Sequence, residues 1–153
     1  MYRIRGVTAE VLLVHPGGPF WAKKDLGAWS IPKGEPEPGE DLLSGAQREF
    51  EEETGFKASG PFFSLRPVKL QSGKVVLAWA VAGDCDAERI KSNTFSIEWP
   101  PRSGRQQEFP EVDRAAWFDL EEGKEKISKG QTGLFEELRR MLSAEGHKQV
   151  RSP

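Results

Sequence analysis

Glu49, Glu52 and Glu53 stand at i, i+3 and i+4. On a helix they would cover about 100° of its surface. Carboxylates so close repel one another and weaken the helix that carries them. A hard cation can neutralise them, and an all-oxygen donor set selects Mg²⁺ or Mn²⁺ over zinc or copper. Arg48, one residue before Glu49 and four before Glu52, is placed to hold a carboxylate by hydrogen bonds, as groups behind metal ligands do. Taken alone, a run of glutamates is most often a solvated acidic face, so the segments around it must decide.

Those segments predict a helix with a loop leading into it. Asp41–Thr54 has Leu43, Ala46 and Phe50 at i, i+3 and i+7 as an apolar stripe, with Gly55 as its stop. Before it, Glu35–Gly39 carries two prolines and reads as a loop. Strands are expected at Gly6–Val14, Phe20–Ala22, Trp29–Ile31, Phe95–Trp99 and Ala115–Leu120. A hairpin is expected between Phe62–Leu70 and Lys74–Val81, and the continuous apolar run 75–81 reads as a central strand. Helices are expected at Leu120–Ser128 and Thr132–Ala144, and residues 146–153 as a flexible tail after one domain over 1–145. The alternation implies an α/β fold, a mixed β-sheet with helices on both faces.

Composition bounds the chemistry. Of 153 residues, 22 are Lys or Arg and 24 Asp or Glu, a net charge of −2. That removes a broad electrostatic drive toward duplex DNA or an anionic bilayer, but not a local basic pocket. The lone Cys85 cannot form an internal disulfide, and two histidines are too few for a His-rich metal site. No membrane span is expected, and no apolar signal core follows Met1, so a cytoplasmic protein is anticipated.

Residues 34–56 fit one spaced pattern: Gly, five residues, Glu, seven residues, then Arg-Glu-apolar-any-Glu-Glu-any-Gly-apolar. The matches are Gly34, Glu40, Arg48, Glu49, Phe50, Glu52, Glu53, Gly55 and Phe56. Seven fixed positions arise by chance on the order of once in 10⁸ starting points at ordinary residue usage. The pattern resembles the signature of the Nudix hydrolase superfamily, and the order of elements is similar across residues 3 to 143. The departures are Phe50 and Phe56, where aliphatic residues are commoner.

The resemblance implies a loop-helix-loop motif on a Nudix-type α/β/α sandwich. It implies an enzyme that uses Mg²⁺ or Mn²⁺ to hydrolyse a phosphoanhydride in a nucleoside diphosphate linked to another moiety. Glu49, Glu52 and Glu53 would be metal ligands, joined by the backbone carbonyl of Lys33. Gly34, Glu40, Arg48 and Gly55 would support the motif. A distal glutamate often serves as base or further ligand in such enzymes; Glu111 is the first candidate here and Glu108 the second.

The lead-in Trp29-Ser30-Ile31-Pro32-Lys33-Gly34 resembles that of members acting on dinucleoside polyphosphates and on 5′-triphosphate RNA ends. Lys33 is placed to meet a phosphate. Trp29 would stack on a base or, as strand tryptophans more often do, pack in the core. Arg3 and Arg5 share one face of an early strand, and in similar enzymes an arginine there contacts phosphate. Lys23 and Lys24 form a small basic turn that reads as solvated surface. The only tyrosine, Tyr2, is upstream of the motif, Pro67 lies closer to it than the ADP-sugar pattern wants, and the coenzyme A signature is absent. The expected substrate is a small-molecule nucleotide, a MutT-like nucleoside triphosphate or a dinucleoside polyphosphate, with an RNA 5′ end less favoured and no membrane partner. The alternative is a catalytically silent Nudix-like nucleotide-binding or sensor domain.

Overall fold

A computed structural model describes residues 1–150, with side chains through Glu145. The elements are β1 (Tyr2–Arg5), β2 (Thr8–Pro16), α1 (Leu42–Thr54), β3 (Phe62–Ser64), β4 (Val68–Lys69), β5 (Val75–Val76) and β6 (Trp79–Val81). They are followed by β7 (Thr94–Glu98), β8 (Gln106–Pro110), β9 (Val112–Asp119), α2 (Leu120–Lys126) and α3 (Gly133–Val150). The architecture is the α/β/α sandwich expected from the sequence.

Strand β2 is the axis of the sheet. It pairs antiparallel with β1 on one side and β9 on the other. Its residues are buried on both faces: Val11 and Leu13 point into a cluster with Tyr2, Trp29, Phe118, Ile127, Phe135 and Leu138, while Leu12 and Val14 fill the other side. That explains why VLLV is continuously apolar. A parallel bridge between Tyr2 and Ala82 attaches the β3–β6 pair to β1 and makes the sheet mixed.

Four differences from the sequence reading have physical causes. The run 75–81 is not a central strand. It breaks into β5 and β6, with Val75 and Leu77 exposed at the cavity while Val76, Ala78, Ala80 and Val81 are buried. Phe20–Ala22 is a turn, since Pro16-Gly17-Gly18-Pro19 reverses the chain there and leaves Phe20 exposed against the edge of Trp99. Strand β8 went unanticipated because Gln106-Gln107-Glu108 carries no apolar alternation; backbone pairing with β7 and the Phe95–Phe109 contact hold it. Finally, α3 runs on into the stretch read as tail, and residues 151–153 lie outside the described residues.

A β-bulge in the pairing of β2 with β9 matters for the site. His15 opposes Arg114, and Pro16 opposes Val112, leaving Asp113 without a partner position. The extra residue turns its carboxylate onto His15, with Asp113 Oδ1 2.8 Å from Nδ1. The ring is fully buried, and its Nε2 donates to the Lys24 carbonyl at 2.7 Å.

Leu13 has no exposed surface. Leu13→Ala is expected to lower unfolding free energy by about 3 kcal/mol through lost burial and a residual cavity. The fully exposed Val7 provides the contrast: Val7→Ser should stay within about 0.5 kcal/mol. Urea denaturation of the two variants checks both.

Candidate active site

Helix α1 starts where its capping chemistry dictates. Asp41 is extended, and its carboxylate accepts from the Ser44 N–H at 3.1 Å. The helix stops at Gly55, whose φ of 80° suits glycine and whose N–H reaches the Glu51 carbonyl at 2.7 Å. Between these ends Phe50 is buried, and the acidic stripe falls on the neighbouring face.

Arg48 organises that stripe. Its Nε and Nη2 grip Glu40 in a two-pronged pair at 2.8 and 3.0 Å. Its Nη1 donates to Glu49 at 2.9 Å and to Glu52 at 3.0 Å, and Nη2 also reaches the Glu35 carbonyl at 3.1 Å. Glu40 is thereby pulled down to about 2, first by the Arg48 hydrogen bonds and then by the Glu37 N–H. The guanidinium is pushed above its ordinary value by the same contacts. Glu40 and Arg48, expected as supports of the motif, thus bind each other where the loop meets the helix.

The loop meets the helix at two points. Glu53 accepts from the Lys33 N–H at 3.1 Å. Gly34 lies so close to Glu49 that a Cβ there would sit 2.1 Å from the carboxyl carbon, so any side chain would displace that carboxylate. Glu53 is the most enclosed acid of the stripe. Burial raises it to about 7, and the neighbouring charges of Glu49 and Glu111 add to the rise.

Glu111 arrives from outside the motif. It follows β8 and precedes the bulge, and its backbone is tied at both ends: its N–H donates to the Asn93 carbonyl at 2.8 Å, and its carbonyl accepts from Gly17 at 2.9 Å. Asn93 in turn donates its N–H to the Glu52 carbonyl at 2.8 Å. One residue thus links the distal loop to the end of α1. Sequence reading missed Asn93, and no side-chain signal could have found it, because the link is made by the backbone. Glu111 is raised by burial and by the charges of Glu49 and Glu52, which places its carboxyl within their field. Glu108 is engaged elsewhere, accepting from the Thr94 hydroxyl across the β7–β8 hairpin.

Two substrate-binding expectations need correction. Trp29 is 5% exposed, packed edge-on against His15 and Phe118, with its Nε1 donating to Asp25 at 2.8 Å. It is a core residue and offers no face for a base. Arg3 is committed to Glu10 at 2.9 Å and Asp84 at 2.7 Å and lies 4.1 Å over the Trp117 ring. Arg5 remains largely exposed beside Glu10. Behind the loop lies a cavity of about 380 Å³ lined by Ile31, Phe50, Val76, Trp79 and Leu138, with Lys33 and Gln47 among its few polar side chains.

The donor set fits a hard divalent cation: carboxylate oxygens alone, backed by a guanidinium that orients them. Among the described residues no three acidic, His or Cys side chains converge tightly enough to hold an ion as they stand. Glu49 and Glu52 each give one oxygen to Arg48 Nη1, which leaves each a second carboxylate oxygen.

The family model of the NUDIX domain matches residues 2–138, and the chain belongs to that family. Among solved structures it is similar to a Caenorhabditis elegans Ap4A hydrolase in a binary complex, at 19% identity and a TM-score of 0.65 over 94% of each chain. It is also similar to the NUDIX domain of Shewanella oneidensis NrtR complexed with ADP ribose, at 18% identity and a TM-score of 0.62, covering 92% of this chain and 82% of that one. A third is the Escherichia coli ORF135 protein, at 20% identity and a TM-score of 0.53 over 94% and 87%. The family and fold support a hydrolase of nucleotide phosphoanhydrides. No helix among the described residues is long and apolar enough to cross a membrane.

The elevated Glu53 gives a signed pH dependence. Its folded value of about 7 exceeds the ordinary 4.5. The folded state therefore holds that proton more tightly, and the associated stability is full below pH 4.5 and lost as pH rises through 7. Glu53→Gln removes the cost of the buried charge. In metal-free buffer at pH 8 it should melt several degrees above wild type (about 1–3 kcal/mol), with the gap closing by pH 4.5. Differential scanning calorimetry across that range is the check.

Proposed function

We propose that this protein is a divalent-metal-dependent pyrophosphohydrolase, MutT-like in its chemistry, acting on a nucleoside triphosphate or a dinucleoside polyphosphate. The observation that carries the reading is the convergence of two separate acidic elements. The Arg48-ordered carboxylates Glu49 and Glu52 stand within the field of Glu111 from a distal loop, with Glu53 beside them on the loop backbone. Nothing in a purely structural helix calls for a fourth acid brought in from sixty residues away.

Glu49, Glu52 and Glu53 would hold Mg²⁺ or Mn²⁺, with the Lys33 carbonyl as a further oxygen. When bound, such an ion supplies neutralisation of the phosphate oxygens and a more acidic water. The protein's own groups do the rest. Lys33 meets a phosphate oxygen as a compact charge at the cavity mouth. The cavity takes the apolar faces of the nucleoside. Glu111, raised by burial and by its neighbours, accepts a proton from the attacking water. The water oxygen bonds to phosphorus, the bridging P–O bond breaks, and a nucleoside phosphate leaves with the bond's electron pair. Glu108, bound to Thr94, is the second choice for that base.

A second reading, a silent nucleotide-binding domain, draws on the turning of Glu49 and Glu52 toward Arg48. The two readings separate cleanly. For the enzyme, Mn²⁺ raises the melting temperature of wild type by mass action, and Glu52→Gln loses both that shift and at least about a hundredfold in kcat. The silent domain would bind nucleotide in calorimetry yet release no phosphate product from nucleoside triphosphates, dinucleoside polyphosphates or ADP-ribose with either metal.

A further inference from the structure

The basic turn of Lys23 and Lys24 does not stand alone. With Arg114 and Lys126 it surrounds a concavity of about 490 Å³, floored by Ala116, Phe118 and the edge of Trp29. Four cations face one carboxylate there, Asp25. Asp25 is already engaged, by the Trp29 Nε1–H and by Lys126. Among the described residues no ion pair is formed by Lys23, Lys24 or Arg114.

Three of these cations stand against aromatic rings. The Arg114 guanidinium stands 5.3 Å from the Trp29 ring centre, Lys24 Nζ 4.8 Å from Trp21, and Lys126 Nζ 6.0 Å from Phe118. The backbone of Lys24 is pinned as well, by the buried His15. Pre-placed positive charges over a concave floor lose little freedom when an anion arrives. In a chain of net charge −2 such a cluster must be local.

The cluster also lies near the acidic site. Arg114, in β9, is three residues after Glu111, which precedes that strand, so their Cα atoms are at most about 11 Å apart. Trp29 leads into the loop that carries Lys33.

We propose that this concavity is a second phosphate-binding site. It takes phosphate groups of the substrate that lie beyond the anhydride to be cut. That the phosphates belong to the substrate rests on the hydrolase reading; that the concavity binds them does not. The shared chemistry is a run of phosphates, from either the long bridge of a dinucleoside polyphosphate or the first backbone linkages of a 5′-triphosphorylated oligonucleotide.

The first arm uses inorganic tripolyphosphate in metal-free buffer, where the acidic stripe repels it. Calorimetry should show binding to wild type and to Glu52→Gln alike. The triple variant Lys23→Ala/Lys24→Ala/Arg114→Gln should bind at least tenfold more weakly, and the double lysine variant, which leaves the sheet untouched, at least threefold. No binding to wild type, or equal binding to the variants, overturns the site.

The second arm measures turnover. In the triple variant KM for the long substrate should rise about tenfold with kcat within twofold, while KM for ADP-ribose stays put. A rise for the dinucleoside tetraphosphate identifies the small nucleotide as source, and a rise for the oligonucleotide identifies the RNA end. If neither moves, the substrate assignment is overturned. If wild type hydrolyses nothing at all, the hydrolase reading and the substrate assignment fall together, and the tripolyphosphate result alone still decides the site.

Discussion

One guanidinium holds three carboxylates in this protein, and with the Lys33–Glu53 hydrogen bond it ties the loop to the helix. Arg48 binds Glu40 with two nitrogens and shares a third between Glu49 and Glu52. Glu40 is the closing residue of the proline-broken loop and sits just before α1. The pair therefore fastens the loop to the helix while the remaining nitrogen spaces the acidic stripe. A lysine could not do this: its ammonium lacks the planar fork that meets two oxygens of one carboxylate. One positive charge against three negative ones leaves the cluster electron-rich, and that surplus is what a divalent ion can answer.

The acids around this clamp are chemically unlike despite being the same residue. Glu40, gripped by Arg48, stays ionised down to about pH 2. Glu53, enclosed beneath the loop, holds its proton to about pH 7 and takes only one backbone N–H in compensation. Glu111 is shifted upward as well, and the charges responsible come from α1. Environment thus separates the carboxylates: Glu40 is held ionised by Arg48, while burial and neighbouring charge shift Glu53 and Glu111 upward.

The sequence carried the motif better than the sheet. Asp41, the stripe Leu43-Ala46-Phe50 and Gly55 each act locally, through a cap, a helical period and a left-handed stop, so the boundaries of α1 fall within one residue of the reading. Gly34 and Arg48 were legible instead from the spaced pattern of residues 34–56. The run 75–81 was misread because apolar residues facing a cavity look the same in sequence as residues facing a core. Strand β8 was missed because its partner, β7, supplies the order that Gln106-Gln107-Glu108 lacks. Trp29 had two readings, and only the placement of His15, Asp25 and Phe118 around its ring selects the core. Asn93 had no sequence signal because its contribution is two backbone hydrogen bonds.

A net charge of −2 hides how unevenly the charge is laid out. Strand β9 is the seam. Just before it Glu111 belongs to the acidic field of α1, and three residues on, within the strand, Arg114 belongs to a basic hollow. The bulge at Asp113 lies between them and is fixed from inside by His15. In a regular strand a shift of one residue would exchange the faces of every side chain beyond it. The bulge makes such a shift once and in a fixed place, between Glu111 and Arg114, so Arg114 keeps the alternation of Ala116 and Phe118 while Glu111 is released from it. The buried His15 ties the backbone between the two charged regions from inside, holding Asp113 at the bulge and the carbonyl of Lys24 at the basic turn.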